Sequence, residues 1–373
     1  MSVAACDACL RRTWLIGRLA GAIEIARHQK RVLRELLALS DQALIVALGA
    51  ASESSLEADH ERYDAGGIRA ACADAGLQAV CRHDDGYPAR LRDLADPPAA
   101  LFVAAARDGV QRLGRLVGGG LEDGPAAVAI VGTRRASPEG IETARGLGRG
   151  LSSAGLSVVS GMALGVDSAA HAGALDGGTP TVAVLAGGAD IPYPASKRAL
   201  YRRIAERGCA VSEMPPGFAP FKWCFPARNR TIAALAQMTV VVEAAERSGS
   251  LITAEVAADL GRDIGAVPGP VTSWRSKGTN ALLRDGATLI RDARDVLDGV
   301  VGVEAPATID PAAGLEPRVA SLLRAVAGGR DTLAALAGAP DQAQATLAAL
   351  TELELAGRLR RVAGGRYVVV APW

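Results

Sequence analysis

The chain reads as an α/β protein: an extended Rossmann-like, doubly wound, mostly parallel sheet, with a small N-terminal helical domain and a C-terminal winged helix. Three observations predict this. From Ala126 to about Val300, short apolar runs alternate with amphipathic helical stretches, the pattern of parallel strands joined by right-handed crossovers. Ahead of them lie apolar residues at helical spacing without strand-like runs. After them come three helical patterns and two β-runs joined through Ala363-Gly364-Gly365, a helix-turn-helix followed by a hairpin wing.

The elements follow in order. Arg18–Leu39 carries Leu19, Ile23, Leu33, Leu36 and Leu37 on one helical face, and a capping Ser40/Asp41 pair starts a helix over Ala43–Gly49. Residues 1–85 are therefore expected to be a small helical domain of the SAM or helix-hairpin kind. Gly86-Tyr87-Pro88 through Asp96-Pro97-Pro98 leads into a sheet domain over 86–300. Its strands are predicted at Ala127–Val131, Ser157–Gly161, Thr181–Gly187, Cys209–Glu213, Thr239–Glu243, Asp263–Pro268 and Thr288–Ile290. Helices are predicted between most of them, Pro138–Ala154 and Ser250–Leu260 among them. An Ala/Pro/Gly-rich linker over 301–315 precedes the winged helix over 316–373: Pro317–Ala327, Thr332–Leu336, Asp341–Leu355, then the hairpin Arg358–Val362 and Arg366–Val370.

Composition bounds the function. The length, 373 residues, accommodates two or three domains, and Ala and Gly dominate over a 3% aromatic content, which favours tightly packed helices and turns. A net charge of +1 leaves no global attraction for polyanions, so any nucleic-acid site must be a local patch. No apolar run reaches membrane-spanning length, and Arg11, Arg12 and Arg18 interrupt any signal-peptide core, so a cytoplasmic location is expected. Six cysteines scattered over this length do not make a disulfide framework. Cys6-Asp-Ala-Cys9 has the spacing of half a zinc site. Its other half would have to come from Cys72, Cys81 or His83, which is not a standard pairing, so reduced structural thiols and no metal are expected.

The densest chemical signal lies at Phe218–Arg230. Three of the four Phe, together with Trp223, fall between Phe218 and Phe225, interleaved with Lys222, Arg228 and Arg230 and without a carboxylate. Rings that stack on bases beside cations that hold phosphates suit a single-stranded polyanion; a hydrophobic plug with a basic rim is the competing reading. Position in the fold favours the first. Ligands of doubly wound sheets sit beyond the carboxyl ends of the strands, where the strand order switches. There the first strand leads into Gly132-Thr133-Arg134 and a helix start, an anion site by construction. The second leads into Gly161, then Gly165 and an Asp167/His171 pair better read as structural than as acid and base. The third leads to Tyr193-Pro194, the fourth to the aromatic-basic segment, and the fifth to Ser248-Gly249-Ser250 at another helix start. Phe225 is the stacking candidate, with Phe221 and Trp223 as packing.

Enzyme signatures are missing. No phosphate-binding Gly-x-x-x-x-Gly-Lys-Ser/Thr, no His-Glu-x-x-His and no nucleophile elbow occurs, and Gly146-Leu147-Gly148-Arg149-Gly150 sits inside a helical pattern rather than after a strand. Glu213 and Glu243 at strand ends are the remaining possible catalysts, with nothing nearby in sequence to activate them.

Val131-Gly132-Thr133-Arg134, Ser160–Asp167, Phe225–Ile232, Ser248–Ala254, Val267-Pro268-Gly269 and Gly278-Thr279-Asn280 together resemble the DNA-processing protein A (DprA/Smf) family, in the family's order. The resemblance implies a non-enzymatic, cofactor-free, dimeric cytoplasmic protein of natural transformation. Such a protein binds incoming single-stranded DNA and loads the RecA recombinase onto it. It makes Arg134 the phosphate-gripping arginine, Lys222 the lysine ahead of the Phe-Pro-x-Arg-Asn-Arg motif and Phe225 the base-stacking ring. The expected DNA-binding set is Gly132, Thr133, Arg134, Gly161, Lys222, Phe225, Arg228, Asn229, Arg230, Ser248, Gly249 and Ser250. One departure is notable. The presumed recognition helix carries Asp341, Gln342, Gln344 and Thr346 but no Lys or Arg, so its wing cations Arg358, Arg360, Arg361 and Arg366 are better suited to phosphate or partner contact. Two alternatives stand. A nucleotide phosphoribohydrolase on the same fold would need a Pro-Gly-Gly-x-Gly-Thr loop where Glu246–Leu251 stands, and a winged-helix regulator would need sequence-specific duplex binding by the tail.

Overall fold

A computed structural model describes residues 5–29, 32–49, 52–118, 126–302, 315–339, 342–356, 358–362 and 364–369. Six helices come first: α1 Asp7–Arg18, α2 Ala20–His28, α3 Leu33–Ala38, α4 Asp41–Leu48, α5 Glu53–Glu61 and α6 Gly66–Asp74. Ser40 caps α4 as its sequence predicts, accepting from the Ala43 N–H at 3.2 Å. The single apolar face over Arg18–Leu39 proves to be divided among the end of α1, α2 and α3.

The sheet has nine strands: β1 Gln78–Cys81, β2 Ala100–Ala104, β3 Ala127–Val131, β4 Ser157–Ser160, β5 Thr181–Leu185, β6 Cys209–Ser212, β7 Met238–Val241, β8 Asp263–Ala266 and β9 Thr288–Leu289. Their order is β1-β2-β6-β5-β4-β3-β7-β8-β9. From β6 to β9 neighbouring strands pair parallel, whereas β2 pairs antiparallel with both β6 and β1. The sequence reading lacks β1 and β2, and the sheet accordingly starts before residue 86. Only a short 3-10 helix, Ala89–Asp93, lies between β1 and β2, so they break the alternation with α-helices that betrays the other strands, and a four-residue strand beside a helical region has little pattern of its own.

Helices cover both faces: α7 Gly109–Val117, α8 Pro138–Ser153, α9 Val166–Gly177, α10 Arg198–Arg207, α11 Cys224–Leu235, α12 Gly249–Asp259, α13 Lys277–Arg284 and α14 Ala293–Val301. Burial on two faces explains why β3 is apolar throughout: Ala127, Ala129 and Val131 enter one core cluster, Val128 and Ile130 the opposite one. The abundant small residues have a packing purpose. A Cβ on Gly148 of α8 would strike the Ala170 carbonyl of α9, and one on Gly173 of α9 would strike the Arg145 carbonyl of α8, so these helices meet backbone to backbone.

The N-terminal helices share a core with the sheet domain. Trp223 is fully buried among Leu15, Leu19, Ala20 and Ile23, and its indole Nε1 donates to the Ala20 carbonyl at 2.9 Å. Its backbone N–H donates to the Glu24 carboxylate at 2.9 Å. The expected packing role of Trp223 is thus a bolt between the two regions.

The tail forms α15 Pro317–Ala327, α16 Leu333–Ala337, α17 Ala343–Leu355 and the hairpin β10 Leu359–Val362 with β11 Arg366–Val369. The expected linker lies largely outside the described residues, as do Asp341 and Val370. The wing folds back on the sheet domain: Arg366 pairs with Asp331 at 2.7 Å, and Arg149 of α8 reaches the same carboxylate at 3.3 Å. Arg366 is therefore committed to an internal contact, leaving Arg360 and Arg361 as exposed cations of the wing. Among the described residues no helix is long and apolar enough to cross a membrane.

Candidate nucleic-acid interface

The chain runs from β3 outward through β4, β5 and β6, then returns to place β7 on the other side of β3. The strand order therefore switches between β3 and β7, where the loops leaving adjacent strands diverge and open a crevice. A cleft of about 450 Å³ lies there. Gly132, Thr133 and Arg134 after β3, Phe225, Arg228 and Asn229 of α11, and Ser248–Ser250 at the start of α12 all line it.

Local chemistry builds each wall. Ser248 caps α12: its Oγ lies 2.7 Å from Ser250 Oγ and accepts from the Ser250 N–H at 3.4 Å. The Ser250 N–H is held by Ser248 Oγ and the Leu251 N–H by the Ser248 carbonyl at 3.0 Å, and this capped turn brings the positive end of the α12 dipole to the cleft wall. Asn229 donates to the Gly249 carbonyl at 3.0 Å, tying α11 to that turn. Across the cleft, exposed Arg134 stacks over the half-buried Phe225 ring, its guanidinium carbon 4.9 Å from the ring centre. Tyr193 continues the stack at 5.5 Å from Phe225 and is 44% exposed. A smaller cavity of about 80 Å³ opens beneath these groups, lined by Gly161, Leu164, Leu185 and Pro194 among others. An exposed cation, a half-buried ring and a capped helix start thus line one crevice, with the exposed Tyr193 ring in the adjoining cavity.

Not every expected residue faces it. Arg228 lines the cleft but is buried, with its Nη1 committed to the Val184 carbonyl at 2.6 Å. Burial lowers its pKa to about 10, with Asp167 working in the opposite direction. A Cβ on Gly161 would collide with that guanidinium, so Gly161 makes room for Arg228 rather than for a ligand. Gly132 likewise serves packing, because its Cβ would lie 2.6 Å from a Val166 methyl. Arg230 is turned away altogether. Its Nη1 and Nη2 reach Glu213 at 2.7 and 2.8 Å, and its Nε reaches Asp96 at 2.8 Å, all in the interior. Burial works against its charge, yet Glu213 and then Asp96 outweigh it and hold its pKa above the ordinary arginine value. Placing Arg230 among the DNA contacts is therefore corrected. Adjacent residues of one helix face different ways, and Arg230 is on the inward side. Lys222 is exposed on the loop entering α11 but does not line the cleft.

The two candidate catalytic carboxylates are occupied by structure. Glu213 accepts from Arg230 and Thr231. Glu243 accepts from the Ser137 N–H at 2.9 Å and Oγ at 2.5 Å, fastening the start of α8. Asp167 is buried and accepts from the Ala163 N–H at 3.4 Å; burial raises its pKa, against the pull of Arg228. His171 lies wholly buried with Nδ1 2.8 Å from Thr181 Oγ1. Thr181 Oγ1 donates onward to the Val158 carbonyl, so Nδ1 carries the proton. Both members of the Asp167/His171 pair are thus held by internal hydrogen bonds, although Asp167 also lines the cleft.

Burial, assisted by the charge of Arg228, pushes the His171 pKa from its ordinary 6.5 to about 3. The native state then binds fewer protons than the unfolded state between these values. Stability should fall as pH drops from about 6.5 towards 3, by up to about 1.4 kcal/mol per pH unit from this group. Chemical denaturation at pH 7 and pH 5 checks this: His171→Asn, which retains a donor for Thr181, should flatten the slope. An unchanged slope would refute the assignment.

Arg27 and Tyr193 are the functional candidates sequence reasoning missed. Arg27 lines the cleft from α2, remote in sequence from every strand end. Tyr193-Pro194 did stand at a strand end, a usable signal, but nothing in the sequence placed it against Phe225.

With this geometry in hand, comparison with known proteins is decisive. The family model described as DNA recombination-mediator protein A matches residues 78–300. The chain belongs to this family. The DprA winged helix domain model matches residues 303–365. A putative DNA processing protein DprA of Mycobacterium tuberculosis is 49% identical over 202 residues, 54% of this chain and 50% of that protein. The chain thus spans about half the length of that relative. The DNA processing protein DprA of Streptococcus pneumoniae is 40% identical over 214 residues, covering 57% of this chain and 71% of that protein. An X-ray structure of the Streptococcus pneumoniae DprA superposes with a TM-score of 0.62 at 30% identity, covering 79% of this chain and 96% of that one. A DNA processing protein A from Helicobacter pylori, described by its single-stranded DNA binding mode, matches with a TM-score of 0.52 at 29% identity over 61% of this chain and 97% of that one. The DNA recombination-mediator A match begins at β1, in agreement with the sheet starting before residue 86. For this family member the α/β sheet and the winged helix are both established.

Proposed function

We propose that this chain binds single-stranded DNA without sequence preference in the cleft between β3 and β7 and loads a RecA-type recombinase onto it. It acts as a cytoplasmic homodimer in DNA recombination, natural transformation included. One observation carries the DNA part of this reading: Arg134 stacked on Phe225 in the cleft that the N-terminus of α12 also lines. A ring offers a surface that any base can stack on, while an arginine and helix N–H groups take phosphate irrespective of sequence. The recombinase, dimer and location parts rest on family membership. Non-enzymatic action is supported by the commitment of Glu213 and Glu243 to internal hydrogen bonds.

Fluorescence anisotropy with a labelled single-stranded oligonucleotide, titrated with salt, tests the cleft. Arg134→Ala should weaken binding by about tenfold or more and reduce the salt slope by about 0.7 for the lost phosphate contact. Parental affinity and slope in Arg134→Ala would place the DNA elsewhere. An electrophoretic shift comparing single-stranded with duplex DNA, repeated with a RecA recombinase, tests the rest. Preference for single strands and increased recombinase retention are expected. Equal duplex binding, or release of free base from nucleoside monophosphates, would sink the reading.

A further inference from the structure

We propose that Cys6, Cys9, Cys81 and His83 form a structural zinc site that fastens the first N-terminal helix to the edge of the central sheet. Their ligand atoms, three Sγ and one imidazole nitrogen, all lie within 4.8 Å of one another. His83 Nδ1 stands 3.4 Å from Cys6 Sγ, 3.4 Å from Cys9 Sγ and 4.0 Å from Cys81 Sγ. A tetrahedron with ordinary zinc–sulfur and zinc–nitrogen bonds has sulfur–nitrogen edges of about 3.6 Å. The four atoms therefore already surround a space of the right size for one ion.

Donor chemistry selects the metal. Three thiolates and one imidazole in tetrahedral array are a standard zinc set, and four protein ligands close the shell, which suits a structural ion rather than a catalytic one. A two-iron cluster would hold its two ligand pairs farther apart than these atoms lie. All six cysteines are free thiols, and a disulfide within the group would leave the imidazole beside the sulfurs without a purpose.

The surroundings are arranged around the same four groups. Cys6 is the N-cap of α1 yet makes no side-chain capping hydrogen bond, which leaves its sulfur for another partner. The Cys6 N–H points at Cys81 Sγ at 3.5 Å, a contact that settles negative charge on a ligating sulfur. Asp84 accepts from the Cys81 N–H at 2.7 Å, and Arg92 donates to the Arg82 and Asp84 carbonyls at 3.4 and 2.9 Å. Together they hold the turn that carries Cys81 and His83. Cys9 and Cys81 are buried, whereas His83 is exposed, so an ion can reach the site from solvent. Cys72, the other cysteine of this region, is buried in the apolar core and lies outside the quartet. The sequence offered Cys81 and His83 beside Cys72 as partners for Cys6 and Cys9 but could not select them, because the halves stand more than seventy residues apart, the Cys-x-His spacing is not a standard one, and β1 was not foreseen.

The test is metal analysis of the full chain, purified without an affinity tag and desalted from a mild chelator. About one zinc per chain is expected, and Cys9→Ser should fall below about a tenth. Cys72→Ser should retain the parental content, and His83→Cys should restore what His83→Ala loses. Exchange of zinc for cobalt(II) should give the intense visible bands and near-ultraviolet charge-transfer band of tetrahedral thiolate coordination. This readout needs only the parent chain and decides the matter if a variant fails to fold. A parent chain that takes up no zinc when offered an equimolar amount, zinc content unchanged in Cys9→Ser, or iron in place of zinc would each overturn the proposal.

Discussion

Arg134→Ala/Phe225→Ala should hold a single-stranded oligonucleotide at least about a hundredfold more weakly than the parent chain at a temperature where both are folded, with some loss of thermal stability from the Phe225 truncation alone. Stacking of one base on an aromatic ring contributes roughly 1–3 kcal/mol, and a charged hydrogen bond to phosphate roughly 1.5–3 kcal/mol. Both side chains reach the cleft; Arg134 is exposed, whereas Phe225 is half-buried and packs on the edge of the core around Trp223. The two losses should not add in full. Arg134 stacks on the same ring, so each single variant already removes part of what the other supplies, and a coupling of about 0.5–1 kcal/mol is expected in the double-mutant cycle. Anisotropy titrations of the parent, both single variants and the double variant measure it. A double variant within a few-fold of the parent would mean that the cleft is not the binding surface.

The second large effect is on stability. Arg230→Ala leaves Glu213 and Asp96 facing each other in the interior, with side chains 10% and 5% exposed, without the cation that both bind. Removing one partner from a buried ionic network typically costs about 3–5 kcal/mol. For a domain of this size that corresponds to a fall of roughly 6–20 °C in the thermal midpoint. Arg230→Lys should rescue little, because an ammonium cannot reproduce the fork that serves Glu213 with two nitrogens and Asp96 with a third. Thermal and urea unfolding followed by circular dichroism give the magnitude. DNA affinity measured well below the transition separates the two roles open to this residue. A folded Arg230→Ala that binds within a few-fold of the parent confirms a fixing role, whereas a stable variant with lost binding would restore Arg230 to the DNA surface.

These two predictions divide a motif that looks uniform in sequence. Phe225-Pro226-Ala227-Arg228-Asn229-Arg230 occupies successive positions of α11, and a helix turns each residue by about 100° from the last. Phe225 and Asn229 share the cleft-facing side, Arg228 lines the cleft as a buried guanidinium bound to the Val184 carbonyl, and Arg230 points into the interior. Composition could announce a cationic, aromatic segment, but a count of arginines says nothing about which are already neutralised by carboxylates from distant loops. Asp96 lies 134 residues from its partner Arg230.

The fold was legible where its period was regular. Strands β3 to β9 were read to within about two residues: burial on two faces forces continuous apolar runs in β3 to β7, and the helices that alternate with the strands mark the crossovers, the exposed edge strand β9 included. Strands β1 and β2 were not, because an antiparallel extension needs no crossover helix. Glycines were also read too simply. Gly132 and Gly161 stood out as places of close ligand approach; Gly132 does line the cleft, yet each glycine also makes room for a neighbouring side chain, Val166 or the Arg228 guanidinium.

By itself, the amino-acid sequence determined the α/β class, the parallel strands from β3 onward, the winged-helix tail and the loops able to meet phosphate. All of these follow from local periodicity and from residues that a strand end or helix start requires. Only the tertiary structure decided which of those groups are exposed together. It stacked Arg134, Phe225 and Tyr193 in one crevice, buried Arg228 and Arg230, brought Arg27 to the rim, and gathered Cys6, Cys9, Cys81 and His83. The reason is physical: side-chain function depends on desolvation and on partners within a few ångströms, and those partners come from segments that the linear order holds far apart.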